Sequence, residues 1–103
     1  MKRLTEQEQL KWLNEELHYP WILKEGRIIL KVSMHSMQEV HELLTRLSRV
    51  SHELNHHPDT LVNAKDIEVS LTTHDANGLT LLDFQYAQEV EQILDNIKRL
   101  RAI

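Results

Sequence analysis

The stretch His52-Glu53-Leu54-Asn55-His56-His57-Pro58, followed after a polar link by Ile67-Glu68-Val69-Ser70-Leu71-Thr72-Thr73-His74, decides how this chain is read. Its first part closes a helix, because Pro58 disfavours helical geometry at His57. Its second part alternates apolar Ile67, Val69 and Leu71 with polar Glu68, Ser70 and Thr72, the period of a half-buried strand. One helix end and one strand end thus carry four of the seven histidines: His52, His56, His57 and His74. Imidazoles titrate near neutral pH, so such a cluster suits proton transfer or metal binding.

Upstream of this stretch, Ser36-Met37-Gln38-Glu39 has the form of a capping box. Met37, Val40, Leu44, Leu47, Val50 and Leu54 then recur at threes and fours, which predicts an amphipathic helix over residues 37 to 55. Met34 and Met37 are expected to be packing residues. Before it, Ile28, Leu30 and Val32 share one face of a strand over residues 27 to 32. The turn Glu25-Gly26 joins that strand to a shorter one at residues 21 to 24, as a hairpin. A first helix is predicted over residues 6 to 17. Thr5-Glu6-Gln7-Glu8 caps it, Leu10, Leu13 and Leu17 form its stripe, and Tyr19-Pro20 ends it. Trp12 and Trp21 are expected to be partly buried packing residues.

Downstream of Pro58, Leu61-Val62 begins a third strand, and residues 63 to 66 supply the turn into the fourth. Asp75-Ala76-Asn77-Gly78 breaks the pattern, with Gly78 as a backbone hinge. Thr80-Leu81-Leu82-Asp83 caps a last helix with Phe84, Ala87, Val90, Leu94 and Ile97 on one stripe. The fold class is therefore α+β: a four-stranded antiparallel sheet with three helices packed on one face, in the order α-β-β-α-β-β-α. Residues 1 to 103 suit one domain.

Composition narrows the function. Net charge is −4, and the one basic cluster, Lys98-Arg99-Leu100-Arg101, suits a helix C-terminus better than a phosphate backbone, so nucleic acid is not the expected ligand. There is no cysteine, which excludes thiolate catalysis and disulfides and fits a reducing, cytoplasmic setting. No apolar run approaches the roughly 20 residues of a membrane span, and the opening residues lack the apolar core of a signal peptide.

His52-Glu53-Leu54-Asn55-His56 matches the H-E-x-x-H pattern of zinc proteases. Three features weigh against that reading. The helix stops at once, position 59 is Asp59 and position 62 is Val62 where the metzincin form needs Gly and His, and the chain is short for a peptide cleft. His18, His35 and His41 are expected to be ordinary surface residues.

His52-x-x-x-His56-His57-Pro58, then His74, then Asp83, resembles the signature of the pterin-4a-carbinolamine dehydratases. Leu71-Thr72-Thr73-His74-Asp75-Ala76-Asn77-Gly78-Leu79-Thr80 resembles their T-H-x-x-x-G-L-[ST] segment, and the likeness spans about residues 21 to 95. It implies dehydration of a 4a-hydroxytetrahydropterin to the quinonoid dihydropterin, in the recycling of tetrahydrobiopterin, with no metal and no cofactor. By the resemblance, His56 and His74 are the acid and base candidates, and His57 orients the substrate or shares the acid role. His56, His57, Pro58, Thr73, His74, Asp75 and Ala76 match positions lining the pterin site. His52 and Asp83 match supporting positions, and Asp83 also reads simply as a helix cap. The resemblance implies a homodimer or homotetramer, as do the open sheet edges.

Two positions depart from the family pattern. Ala64 stands where it carries an aromatic, and Thr60 stands where one is common. Their loss is expected to loosen the hairpin or a pocket wall. It keeps a second function class open: a non-catalytic dehydratase-like binding partner or assembly factor.

Overall fold

Alternation of apolar residues builds the centre of the molecule. A computed structural model describes residues 1 to 101. Strand β2 (Arg27–Ser33) turns Ile28 and Leu30 inward, and β4 (Asp66–Leu71) does the same with Ile67, Val69 and Leu71; all five are buried. The two strands pair antiparallel, with Leu30 opposite Val69. Strands β1 (Ile22–Lys24) and β3 (Asp59–Asn63) flank them, giving the antiparallel order β1-β2-β4-β3. The Glu25-Gly26 turn closes the first hairpin with positive φ at both residues (51° and 73°), the backbone of a type I′ turn.

Helices α1 (Glu6–Lys11), α2 (Met37–Leu54) and α3 (Leu81–Leu100) complete the expected order. Helix α1 continues as a π-helical turn, Trp12–Glu16, so the segment read as one α-helix changes its winding half-way. Trp12 there stacks on Phe84 of α3, with ring centroids 5.5 Å apart. One cluster of buried residues joins sheet and helices.

Helix α2 buries Val40, Leu43, Leu47, Val50 and Ser51. Of the expected stripe, Val40, Leu47 and Val50 are buried and Leu44 and Leu54 pack half-buried against the core; Leu43 joins them, and Met37 is 46% exposed, so Met37 is not a packing residue while Met34 is. Of the stripe expected for the first helix, Leu10 is exposed, Leu13 packs half-buried against the core and Leu17 is buried. Helix α2 ends before the proline. Asn55 takes the left-handed conformation (φ 50°), tolerated by asparagine at a helix end.

A buried carboxylate fastens the segment after α1. Glu91 of α3 accepts from the backbone N–H groups of His18 (2.9 and 3.1 Å) and Tyr19 (3.0 Å) and from the Trp21 indole N–H (2.8 Å). Trp21 is buried, more deeply than its expected half-burial. Arg101 grips Glu39 through two hydrogen bonds, 2.8 and 2.7 Å, and holds that carboxyl at about 2, below its ordinary 4.5.

Candidate active site

The left-handed Asn55 decides where the histidines point. It takes His56 out of α2, so His52 and His56 do not share a helical face and the H-E-x-x-H reading loses its geometry. The His56 backbone N–H instead returns to the Ser51 carbonyl at 3.1 Å. The His56 side chain, 11% exposed, turns to α3 and meets Asp83, Nε2 to Oδ1 at 2.6 Å. The Tyr86 ring packs edge-on to the imidazole, centroids 6.3 Å apart. The Tyr86 hydroxyl donates to the Leu47 carbonyl (2.9 Å), so the Ser51 hydroxyl donates in the 2.7 Å contact between them. Burial raises the Tyr86 phenol, with the Ser51 hydrogen bond opposing.

Asp83 is wholly buried, and its two oxygens are divided. Oδ1 faces His56; Oδ2 accepts from the Thr73 hydroxyl (2.7 Å) and the Thr80 backbone N–H (2.9 Å). The cap expected of Asp83 is therefore present, and the same carboxylate also holds the imidazole. A carboxylate only accepts, so with Asp83 ionised Nε2 of His56 carries a hydrogen. Nδ1 is then the ring nitrogen that remains for a ligand.

Thr73 links this pair to the last histidine. Its backbone forms a β-bridge with Gly78, and residues His74–Ala76 make a single 3-10 turn between them. His74 is exposed at the start of that turn, beyond the strand end where it was expected. Asn77 closes the turn in the left-handed conformation (φ 54°).

Some of the predicted residues line two separate hollows; His56 and Asp83 line neither and join them only through the chain of contacts. His52, Asn55, His57, Pro58 and Thr60 line one cavity, about 450 Å³, beside Ser51. Thr73 and His74 line another, about 190 Å³, with Glu25, Arg27 and Gly78. Asp75 is exposed and Ala76 half-buried on the 3-10 turn. Thr60 is thus on a cavity wall. Ala64 lies in the exposed β3–β4 turn with φ 54° and lines neither hollow. Sequence reasoning missed Ser51, Asn55 and Thr80. Only Thr80 had a signal, its place as the cap of α3.

Among the described residues no three His, Asp or Glu side chains group as metal ligands, and no helix is long and apolar enough to cross a membrane. An α+β sheet with a histidine held by a buried aspartate defines a class suited to acid/base work. The sequence pattern described as "Pterin 4 alpha carbinolamine dehydratase" matches residues 2–93, and the chain belongs to that family. A Sulfurisphaera tokodaii protein provisionally named pterin-4-alpha-carbinolamine dehydratase is 37% identical over 97 residues, 91% of this chain and 99% of its own. The Drosophila melanogaster pterin-4-alpha-carbinolamine dehydratase is 30% identical over 93% of this chain, which spans 51% of that protein. The fold is that of a transcriptional coactivator/pterin dehydratase from Brucella melitensis (TM-score 0.82, 24% identity, 89% of this chain and 98% of that one). It is also similar to a pterin dehydratase-like RuBisCO assembly factor of the alpha-carboxysome (TM-score 0.61, 16% identity, 73% and 87% covered).

Proposed function

We propose that the chain dehydrates a 4a-hydroxytetrahydropterin to the quinonoid dihydropterin in the cytoplasm, through histidine acid/base catalysis. The observation that carries this reading is the 2.6 Å contact between His56 and the buried Asp83 carboxylate. The reaction breaks the C4a–O bond. The leaving hydroxyl takes a proton from an acid and departs as water, while a base removes a proton from a ring nitrogen and the C=N bond forms. In this reading His56 works at Nδ1, with Asp83 holding its other nitrogen and stabilising the imidazolium. His74 is its acid/base counterpart, and His57 with Pro58 orients the pterin from the larger cavity. Thr73, Asp75 and Ala76 shape the wall next to His74, and His52 supports the cavity rim. The reaction as written needs no metal or cofactor.

The test is the dehydration rate of a freshly generated 4a-hydroxytetrahydropterin, followed by absorbance with and without protein. The expected result is acceleration over the spontaneous rate that disappears in His56→Ala. Folded protein that gives no acceleration sinks the reading.

A second reading is favoured by Thr60 on the cavity wall and by the likeness to the assembly factor: a dehydratase-like protein that binds a partner protein. It gains if dehydration is absent. In either reading the chain self-associates as a dimer or tetramer. Edge strand β3 leaves Leu61 65% exposed on the face turned from the core and Val62, opposite buried Ile67, 41% exposed on the other.

A further inference from the structure

The Thr73 hydroxyl is spent inside the protein. Its hydrogen goes to Asp83 Oδ2 at 2.7 Å. A hydroxyl has one hydrogen, so in the 2.8 Å contact with Thr80 it is the Thr80 hydroxyl that donates. The result is a directed chain: Thr80 to Thr73, Thr73 to Asp83, with His56 donating to the carboxylate from the other side. Nothing in the backbone of Thr73 asks for a hydroxyl. Its N–H donates to the Gly78 carbonyl (3.0 Å), and its own carbonyl accepts from Ala76 and Gly78, bonds that valine would make equally. Nor does capping of α3 need it, since the Thr80 N–H already reaches Asp83 Oδ2.

We infer that Thr73 is a positioning residue: its hydroxyl fixes the carboxylate plane that orients His56, while its backbone begins the turn that carries His74. Without that hydroxyl, Oδ2 keeps one donor, and the carboxylate can rotate about its Cβ–Cγ bond and carry Oδ1 away from His56. The role rests on the acid/base reading above for its consequence in catalysis, but the geometry is testable by itself.

The experiment compares Thr73→Val, Thr73→Ala and Thr73→Ser in the full chain, with two readouts. In the dehydration assay, Thr73→Val is expected to lower kcat at least about tenfold with KM within about twofold, as misplacement of a reacting group does. Thr73→Ser restores kcat to within about threefold. In NMR of ring-15N-histidine protein, the wild type is expected to show a slowly exchanging His56 Nε2–H. Valine speeds that exchange at least about tenfold, and serine restores it. Thr73→Ala replaces valine should valine not fold. If no variant or wild type dehydrates the pterin, the proposed reaction fails, and the NMR arm alone decides the inference. Unchanged exchange in both hydroxyl-free variants, a wild-type Nε2–H without protection, or serine behaving as valine does would each overturn it.

Discussion

At the residue scale, the site depends on a few atoms whose hydrogens are already assigned by their neighbours. His56 has Nε2 committed to Asp83, whereas His74 stands exposed on its 3-10 turn. Removing the exposed ring disturbs no packing. His74→Ala is expected to lower the dehydration rate at least about tenfold with the thermal midpoint unchanged; a wild-type rate in folded variant would take His74 out of the mechanism. Ala64 makes the opposite case. Its φ of 54° is a conformation that a Cβ penalises and glycine accepts. Ala64→Gly is expected to stabilise the protein by about 0.5–1 kcal/mol, net of glycine's greater freedom in the unfolded chain. A lower urea midpoint would show that this turn is not strained.

At the element scale, buried polar groups on α3 fasten the other elements. Glu91 satisfies three N–H donors in the segment after α1, and an amide has only one acceptor oxygen to offer them. Glu91→Gln is expected to cost about 2–3 kcal/mol, because donors are left unpaired in a buried place. Chemical denaturation measures this, and a loss below half a kilocalorie would mean that water replaces the carboxylate. Both tyrosines bridge α3 to its neighbours and both are raised above the ordinary 10.0: Tyr86 by burial, Tyr19 by burial and by its hydrogen bond to Asp95. Their neutral forms are favoured in the folded protein. The unfolded chain therefore loses protons first as pH rises through about 10, and stability, full below that pH, falls above it. Urea midpoints between pH 8 and 11 are expected to decline, and Tyr19→Phe with Tyr86→Phe to flatten the decline. An unchanged slope in the double variant would assign the loss to other groups.

At the scale of the whole molecule, the sheet ends in two exposed edges, and β3 presents the more exposed apolar side chains there. Leu61→Lys is expected to shift the sedimentation profile toward monomer while leaving the circular dichroism spectrum unchanged; a mass equal to wild type would move the interface elsewhere. The element order was legible in the chain because periods of two and of three to four are local properties of sequence. Ile28, Leu30, Ile67, Val69 and Leu71 announce buried strand faces by alternation alone, and the family signature announces His56, His57, His74 and Asp83 by spacing. Strand order was not legible, since nothing local says that β4 lies between β2 and β3. Leu43 was missed because neighbouring helix positions lie about 100° apart and several apolar registers compete. Local sequence thus determined which segments are helix or strand and which residue types could exchange protons. Only the tertiary structure decided that Asn55 turns His56 off α2 and onto Asp83, and that Thr73 and Thr80 complete that carboxylate's partners. Those contacts join residues 7 to 27 positions apart, and their geometry follows from how α2, β4 and α3 pack rather than from any local preference.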